Sequence, residues 1–328
     1  SLPETYVEGF HDITQVKLMP YRPLGRTGLH VSALSFGASS LGSVFRSTEQ
    51  GESLEVVKTA LKSGINYLDT APWYGHGKSE SVLGKAEVRL ESVQSSSLRI
   101  KYILTLTIKT HEILQICIHD MEFAPSIDII LNETLPALQK VKEAGKAKFI
   151  GITGYPLENF KTVLEKSQVQ IDVILTYCRA SMNDNSLRDW LPYFQSQGVG
   201  VVNASPISMG LLSSRGPPAW HPASSVIKTA CAEAAAYCSE RGVDISRLAL
   251  KFTLDQTDIP TTLVSTASLE NLQKNIESVH TPLSDKEKQV LEEVMEKFLN
   301  PLQNANWEGV EVAEYRRSLE QQCENLVN

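Results

Sequence analysis

Apolar runs of strand length alternate with apolar positions at helical spacing along most of this chain. Residues 34–37 read as a first strand, and Leu54, Val57, Ala60 and Leu61 follow on one helical face. Ile65, Tyr67 and Leu68 make an apolar run after the Ser63-Gly64 break. That run is too apolar for a half-wet strand and reads as a parallel strand buried on both faces. A helix follows, with Ser79 placed to cap it and Val82, Leu83 and Ala86 on its buried side. Farther on, strands are expected at 149–153, 172–177, 200–205 and 262–265. Helices are expected between and after them, at about 157–166, 186–197, 226–241 and 269–278.

Strand and helix repeated in this way require a parallel sheet. The count approaches eight, and no Gly-x-Gly-x-x-Gly follows the first strand. Both points favour an α/β fold of the (β/α)8 TIM-barrel type over an open doubly wound sheet. Residues 1–20 show no period and read as a poorly specified lead-in; 21–328 reads as one barrel domain with a C-terminal helix and tail. Residues 23–32 read as a hairpin with Gly28 in its turn. An amphipathic helix at 286–298 precedes the tail, which carries Trp307 and Tyr315.

One patch breaks the pattern. Residues 102–108 read as strand 3 and 113–118 as strand 4, which leaves only 109–112 to join them. Parallel neighbours need a crossover of about 10–12 residues, normally a helix. The barrel is therefore expected to be incomplete around strand 3 and helix 3, or strand 3 displaced, or the chain a variant product of its gene.

Charge and cysteine content narrow the function classes. The formal net charge is −7 and no basic cluster occurs, which argues against nucleic acid or an anionic membrane surface as partner. Five scattered cysteines show no metal-ligand or disulfide spacing, and no apolar run approaches a membrane span. A cytoplasmic protein is expected, as a monomer or weak oligomer that acts on a small molecule and not on a nucleic acid or membrane.

The chemistry-bearing positions lie where barrel enzymes carry them, at strand ends and in the loops that follow. Asp69 ends strand 2 and Tyr74 sits on the next loop, inside DTAPWYGHGKSE. This stretch resembles the strand-2 signature of the aldo-keto reductases: an Asp, a Tyr five residues later, a Gly, and a helix opening on Ser-Glu. Here those are Asp69, Tyr74, Gly75, Ser79 and Glu80. Within that superfamily the chain looks most like the L-galactose dehydrogenase branch.

The resemblance implies hydride transfer between a nicotinamide and an aldehyde, ketone or sugar lactol, with NAD or NADP as cofactor. It implies Tyr74 as general acid/base, Asp69 as the carboxylate that holds a lysine, and His119, in ICIHDMEF, as the carbonyl-polarising imidazole. A free phenol has a pKa of about 10, so an adjacent ammonium is needed to bring it toward neutrality. The family's Thr-Lys at the end of strand 3 is matched by Thr107-Ile108-Lys109 with one residue inserted. Such an insertion reverses the strand face, and Lys109 is the expected lysine.

For the cofactor, the resemblance implies Gly37 and Ala38 after strand 1, Thr153 after strand 5 and Leu175 on strand 6. It adds Ser205, Ile207, Met209 and Gly210 after strand 7, then Ser265, Thr266, Asn271 and Asn275 after strand 8. Gly154, Leu175 and Ala204 stand where many members have Asn, Gln and an aromatic. Ser265 and Asn271 stand where members that prefer NADP have cations, with only Lys274 close by, which leans the expectation to NAD. Trp73 and His76 flank Tyr74 and are candidates for the substrate pocket. Two alternatives remain open: a cofactor-binding regulatory protein that turns over little, and an inactive splice variant.

Overall fold

In the computed structural model, residues 2–45, 47–93, 103–105 and 113–327 are described. An antiparallel hairpin, β1 (Tyr21–Pro23) and β2 (His30–Ser32), precedes a closed barrel. The barrel strands are β3 (Leu34–Gly37), β4 (Tyr67–Asp69), β5 (Ile103–Thr105), β6 (Ile113–Ile118), β7 (Ala147–Gly154), β8 (Val173–Tyr177), β9 (Gly200–Ala204) and β10 (Thr261–Ser265). Each pairs in parallel with the next, and β10 closes the ring by pairing with both β9 and β3.

The helices form the outer layer. They are α1 (Ile13–Leu18), α2 (Gln50–Lys62), α3 (Lys78–Val93) and α4 (Ile127–Ile129), the last running through a π-helical turn into α5 (Leu135–Glu143). Then come α6 (Leu157–Lys166), α7 (Leu187–Ser196), α8 (Ser225–Glu240), α9 (Ile245–Leu254), α10 (Leu269–His280), α11 (Asp285–Val294) and α12 (Val310–Val327). Apolar side chains between helices and barrel make the main core: Leu54, Val57 and Leu61 of α2 pack with Leu68 and with Val82 and Leu83 of α3. Phe160 of α6 and Phe194 of α7 are buried with Ile150, Ile152 and Ile174. Among the described residues no helix is long and apolar enough to cross a membrane.

The hairpin seals the bottom. Leu24 is fully buried with Val173, Val202 and Leu263 inside the barrel. A Cβ on Gly25 would overlap the backbone of Val199 and Gly200, so the hairpin is seated by a residue without a side chain.

Four sequence expectations need correction. The lead-in holds a capped helix, α1, with Asp12 accepting from the N–H groups of Thr14 and Gln15 and Val16 buried beneath it. The α4–α5 segment and α9 add helices that the pattern did not single out. Ser79 lies inside α3 and is not its cap. The barrel, expected to be incomplete near strand 3, is closed, because β5 pairs with β4 from Tyr67↔Ile103 to Asp69↔Thr105 and with β6 at Thr105↔Gln115. Of strand 3, expected at 102–108, the structure describes Ile103–Thr105; residues 102 and 106–112 lie outside the described residues.

Candidate active site

The turn after β4 is clamped against the loop after β3. Gly37 is in register with Asp69, and the Ala38 N–H donates to the Asp69 carbonyl at 2.8 Å. Tyr74 then turns back, its N–H donating to the Ala71 carbonyl at 3.0 Å. Gly75 has φ +70°, and a Cβ on it would overlap Gly42; a Cβ on Gly42 would overlap the Tyr74 carbonyl. The two loops therefore approach at a pair of glycines, which fixes where the Tyr74 ring leaves the backbone. The Ser79 hydroxyl ties both ends together, donating to the Ala38 carbonyl at 2.8 Å and meeting the Thr70 hydroxyl at 2.9 Å.

His119 ends the next arc of the barrel, one residue past β6. Its Nε2 lies 3.5 Å from the Tyr74 hydroxyl, with the two rings edge to face at 5.8 Å. Its Nδ1 lies 2.9 Å from Asp120 Oδ2, an ion-pair contact without hydrogen-bond alignment. Thr153 of β7 braces Asp120: the Asp120 N–H donates to Thr153 Oγ1 at 2.7 Å.

The electrostatics differ from what a lowered phenol would need. Burial raises the Tyr74 pKa well above its ordinary value, and the Asp69 and Asp120 carboxylates raise it further. Burial pushes the Asp69 carboxyl up to about 7, with His119 pulling it down and Asp120 pushing it up. For His119, burial disfavours the charged form, but Asp120, Asp69 and Glu122 outweigh it and hold the imidazole above its ordinary value. Lys109 lies outside the described residues, and among the described residues no hydrogen bond joins Tyr74 to a lysine.

The cofactor candidates fall mainly on one arc. Gly37 is in register with Ser265, whose hydroxyl donates to Ser40 Oγ and accepts the Ser40 N–H, each at 2.8 Å. The Ser205 N–H donates to the Leu263 carbonyl at 3.2 Å, joining the β9 loop to β10. Ser205, Ser208, Met209 and Gly210 all have positive φ, so this loop curls tightly past the strand end. The Ile207 and Met209 side chains pack inward on the apolar layer under α8 and α11. Thr266 accepts the Ser268 N–H at 3.0 Å, and Ser268 caps α10, on whose first turn Asn271 stands exposed. Asn275 is half-buried one turn on, and Lys274 is paired with Glu270 at 2.6 Å. Thr153 and Leu175 lie apart from this arc. Leu175 faces the barrel interior with Val173, Val202 and Leu263 and offers only apolar contact. Trp73 is 69% exposed, edge to face with His76.

Several mouth residues were not among the site candidates read from the sequence. Glu122 Oε1 accepts the Tyr155 N–H at 2.9 Å, its Oε2 is buried without a partner, and burial pushes its pKa up to about 7. Trp307 is 2% exposed and stacks on Tyr155 at 5.0 Å; Arg179 bridges Asp184 and Glu308. The Tyr177 hydroxyl donates to Glu311 at 3.5 Å. The tail thus crosses the C-terminal ends of β7 and β8. Its signal was Trp307, a bulky aromatic in a polar stretch, but nothing local says what an aromatic stacks on. Among the described residues no His, Cys, Asp and Glu group is arranged to hold a metal ion.

Comparison with known proteins agrees with this geometry. The chain is 40% identical over 318 residues to L-galactose dehydrogenase of Arabidopsis thaliana, covering 90% of this chain and 98% of that one. It is 26% identical to D-arabinose 1-dehydrogenase of Saccharomyces cerevisiae, over 84% and 93% of the two chains. Its fold matches that of an aldo-keto reductase of Bacillus halodurans in its holo form, with TM-score 0.63 and 25% identity over 84% and 96% of the two chains. The pattern of the Aldo/keto reductase family matches residues 33–105 and 104–296, so its two segments meet on β5. A closed barrel, strand-end residues gathered at its mouth and a family match over most of the length lead to one conclusion: this chain is an oxidoreductase that belongs to the aldo/keto reductase family.

Proposed function

We propose that the chain interconverts a neutral sugar lactol, or a related aldehyde or ketone, and its lactone or alcohol, with NAD as cofactor and Tyr74 as general acid/base. The observation that carries this reading is the meeting of the Tyr74 hydroxyl with His119 Nε2 at 3.5 Å, with Asp69 behind them at the end of β4. A nicotinamide supplies or accepts the hydride. The chain's residues bind it and manage the proton.

The candidate cofactor residues of β3, β9 and β10 are neighbours in the barrel, and the catalytic candidates of β4 and β6 begin beside them. Gly37 and Ala38 would hold the nicotinamide end of a dinucleotide beside Tyr74, and Ser265, Thr266, Asn271 and Asn275 its adenosine half. NAD is favoured because Ser265 and Asn271 are neutral and Lys274, the nearby cation, is paired with Glu270, so no unpaired cation stands at these positions for a 2′-phosphate. In the reducing direction Tyr74 donates its proton to the new alkoxide oxygen. A phenol held above its ordinary pKa keeps that proton at neutral pH. In the oxidising direction it needs a neighbouring cation, and Lys109 is the sequence candidate. Asp69, Asp120, Glu122 and Glu311 crowd the mouth with carboxyl groups, and a substrate carboxylate would meet the burial and repulsion that already raise Asp69, Glu122 and Glu311.

The test is a fluorescence titration with NADH and NADPH beside a turnover assay on neutral aldoses, L-galactose and D-arabinose among them. Binding with turnover supports the proposal. The carboxylates around the phenol favour one second reading, a protein that binds the cofactor and turns over little; binding without turnover would assign it.

A further inference from the structure

Asp120 takes no part in the hydride or proton transfer above, yet its backbone and side chain are both committed. It takes φ +49°, a left-handed conformation that Asp adopts more readily than most residues. Its N–H donates to Thr153 Oγ1 at 2.7 Å, and the same hydroxyl donates to Asp120 Oδ1 at 3.4 Å. Thr153 is 2% exposed on β7, so this brace belongs to the barrel wall and not to a loose loop. The other carboxylate oxygen, Oδ2, is left to face His119 Nδ1 at 2.9 Å. The opposite ring nitrogen then points at the Tyr74 hydroxyl 3.5 Å away. Side chains of His119 and Asp120 are 23% and 30% exposed, so the line is open to a substrate at the mouth.

We propose that Asp120 is a positioning residue: braced by Thr153, it orients His119 through Nδ1 so that Nε2 faces Tyr74 and the substrate oxygen. The inference rests on the reading of Tyr74 as the acid/base. The physical reason is electrostatic: a carboxylate oxygen 2.9 Å from Nδ1 favours a proton on that nitrogen and the ring rotamer that keeps the two groups together, without an aligned hydrogen bond. Nε2 is then the nitrogen that changes state. With Asp120 ionised, the imidazolium is favoured and Nε2 can donate toward the phenol and the carbonyl oxygen. Thr153 acquires a second duty beside the cofactor role expected of it. One lone pair of its hydroxyl remains for a ligand after accepting from Asp120.

The charged and titratable groups that face the imidazole among the described residues are Tyr74 from the β4 loop, Asp69 from β4, and Asp120 and Glu122 after β6. The test therefore changes Asp120 alone, in the full chain, and reads two quantities. The first is the titration midpoint of His119 by imidazole 15N NMR. Asp120→Asn is expected to lower it by about one pH unit. Asp120→Glu should restore most of the shift, and Thr153→Val should move it part of the way down. The second is turnover: Asp120→Asn should lower kcat at least about tenfold with KM within about twofold. The alkaline limb of its pH profile should move to lower pH, because the imidazolium is lost sooner.

An unchanged His119 midpoint in Asp120→Asn overturns the proposal, and so does a shifted midpoint with unchanged kcat. Tyr74→Phe is assayed in parallel. If it retains the parent's activity, the catalytic reading of Tyr74 has failed, while the NMR midpoint still decides whether Asp120 holds His119.

Discussion

The arc from β6 to β9 and the arc from β4 to β5 are built from the same kind of unit but differ in how firmly they are joined. β6 and β7 pair from Ile113↔Ala147 to Ile118↔Ile152, and β7, β8 and β9 carry helices of ten residues, α6 and α7, in their crossovers. Phe160 and Phe194 from those helices meet edge to face at 6.1 Å in the core. β4 is three residues long, and among the described residues β5 contributes Ile103–Thr105 and meets β6 at Thr105↔Gln115. The family match is divided at this strand. The proposed site straddles the two arcs: Asp69 and Tyr74 come from the short side, Thr153 from the long side, and His119 from the seam. A barrel closes if every strand finds a neighbour, but placement of a side chain to a few tenths of an ångström needs register fixed by several pairs.

The largest effect is expected at the seam. Tyr74→Phe keeps the ring and its edge-to-face contact with His119 and removes only the hydroxyl. Melting temperature and NADH affinity should be nearly unchanged, and turnover should fall by about 10²–10⁴. Activity within tenfold of the parent would remove Tyr74 from the mechanism.

On the firm arc, Phe160→Ala should cost about 3–5 kcal/mol, because a fully buried ring is lost from a packed helix–barrel layer. Urea unfolding measures it, and a cost under 1 kcal/mol would deny that this arc is the better packed one. On the short arc the sign reverses. A helix-length insertion between Lys109 and Glu112 gives β5 and β6 the outer cover that parallel strands usually have. It should add stability, about 1.5–3 kcal/mol for each large apolar side chain it buries, and should raise turnover with it. Equal melting temperature and equal turnover would show that the chain without the insertion already suffices.

A smaller effect probes the acidic mouth. The Glu122 carboxyl is pushed up to about 7 in the folded protein by burial and by Asp120. The folded state therefore holds this proton more tightly than the unfolded chain, whose carboxylates titrate near 4.3. Its contribution to stability is full below that pH and is lost as the pH rises through about 7. Glu122→Gln, which cannot ionise, should be about 1–3 kcal/mol more stable than the parent at pH 8 and no more stable at pH 4. A difference independent of pH would mean that Glu122 does not carry this linkage.

The smallest effect lies at the adenosine end. Asn271→Arg should tighten NADPH binding relative to NADH by about 1–2 kcal/mol if the 2′-phosphate reaches the first turn of α10. An unchanged ratio of the two affinities would move the adenosine site elsewhere.

Residues that lie close in sequence carried what could be read in advance. The Asp69-to-Glu80 stretch is legible because β4, its turn and the start of α3 are consecutive and each has its own local pattern. The strands from 149 to 265 were legible for the same reason, since apolar runs of strand length between helical faces state the parallel order directly. Asp120 and Glu122 stood in plain view beside His119, but their partners, Thr153 and Tyr155, are more than thirty residues away. Ser79 was misread because its side chain bonds two residues across the mouth, Ala38 and Thr70, and no cap pattern records that.

The sequence alone determined the strand-and-helix alternation, and hence the parallel barrel, together with the motif that places Tyr74 five residues beyond Asp69. These follow from periodicity and local geometry, which each segment carries by itself. Only the tertiary structure decided that the ring closes through β5, which pairs with both β4 and β6. It also decided that Trp307 and Glu311 of the tail meet Tyr155 and Tyr177, and that His119 stands between Tyr74 and Asp120. Those outcomes depend on register and on pairing between distant segments. They depend equally on the desolvation of groups brought together, which raised Tyr74 and Asp69 where local chemistry alone predicted neither shift.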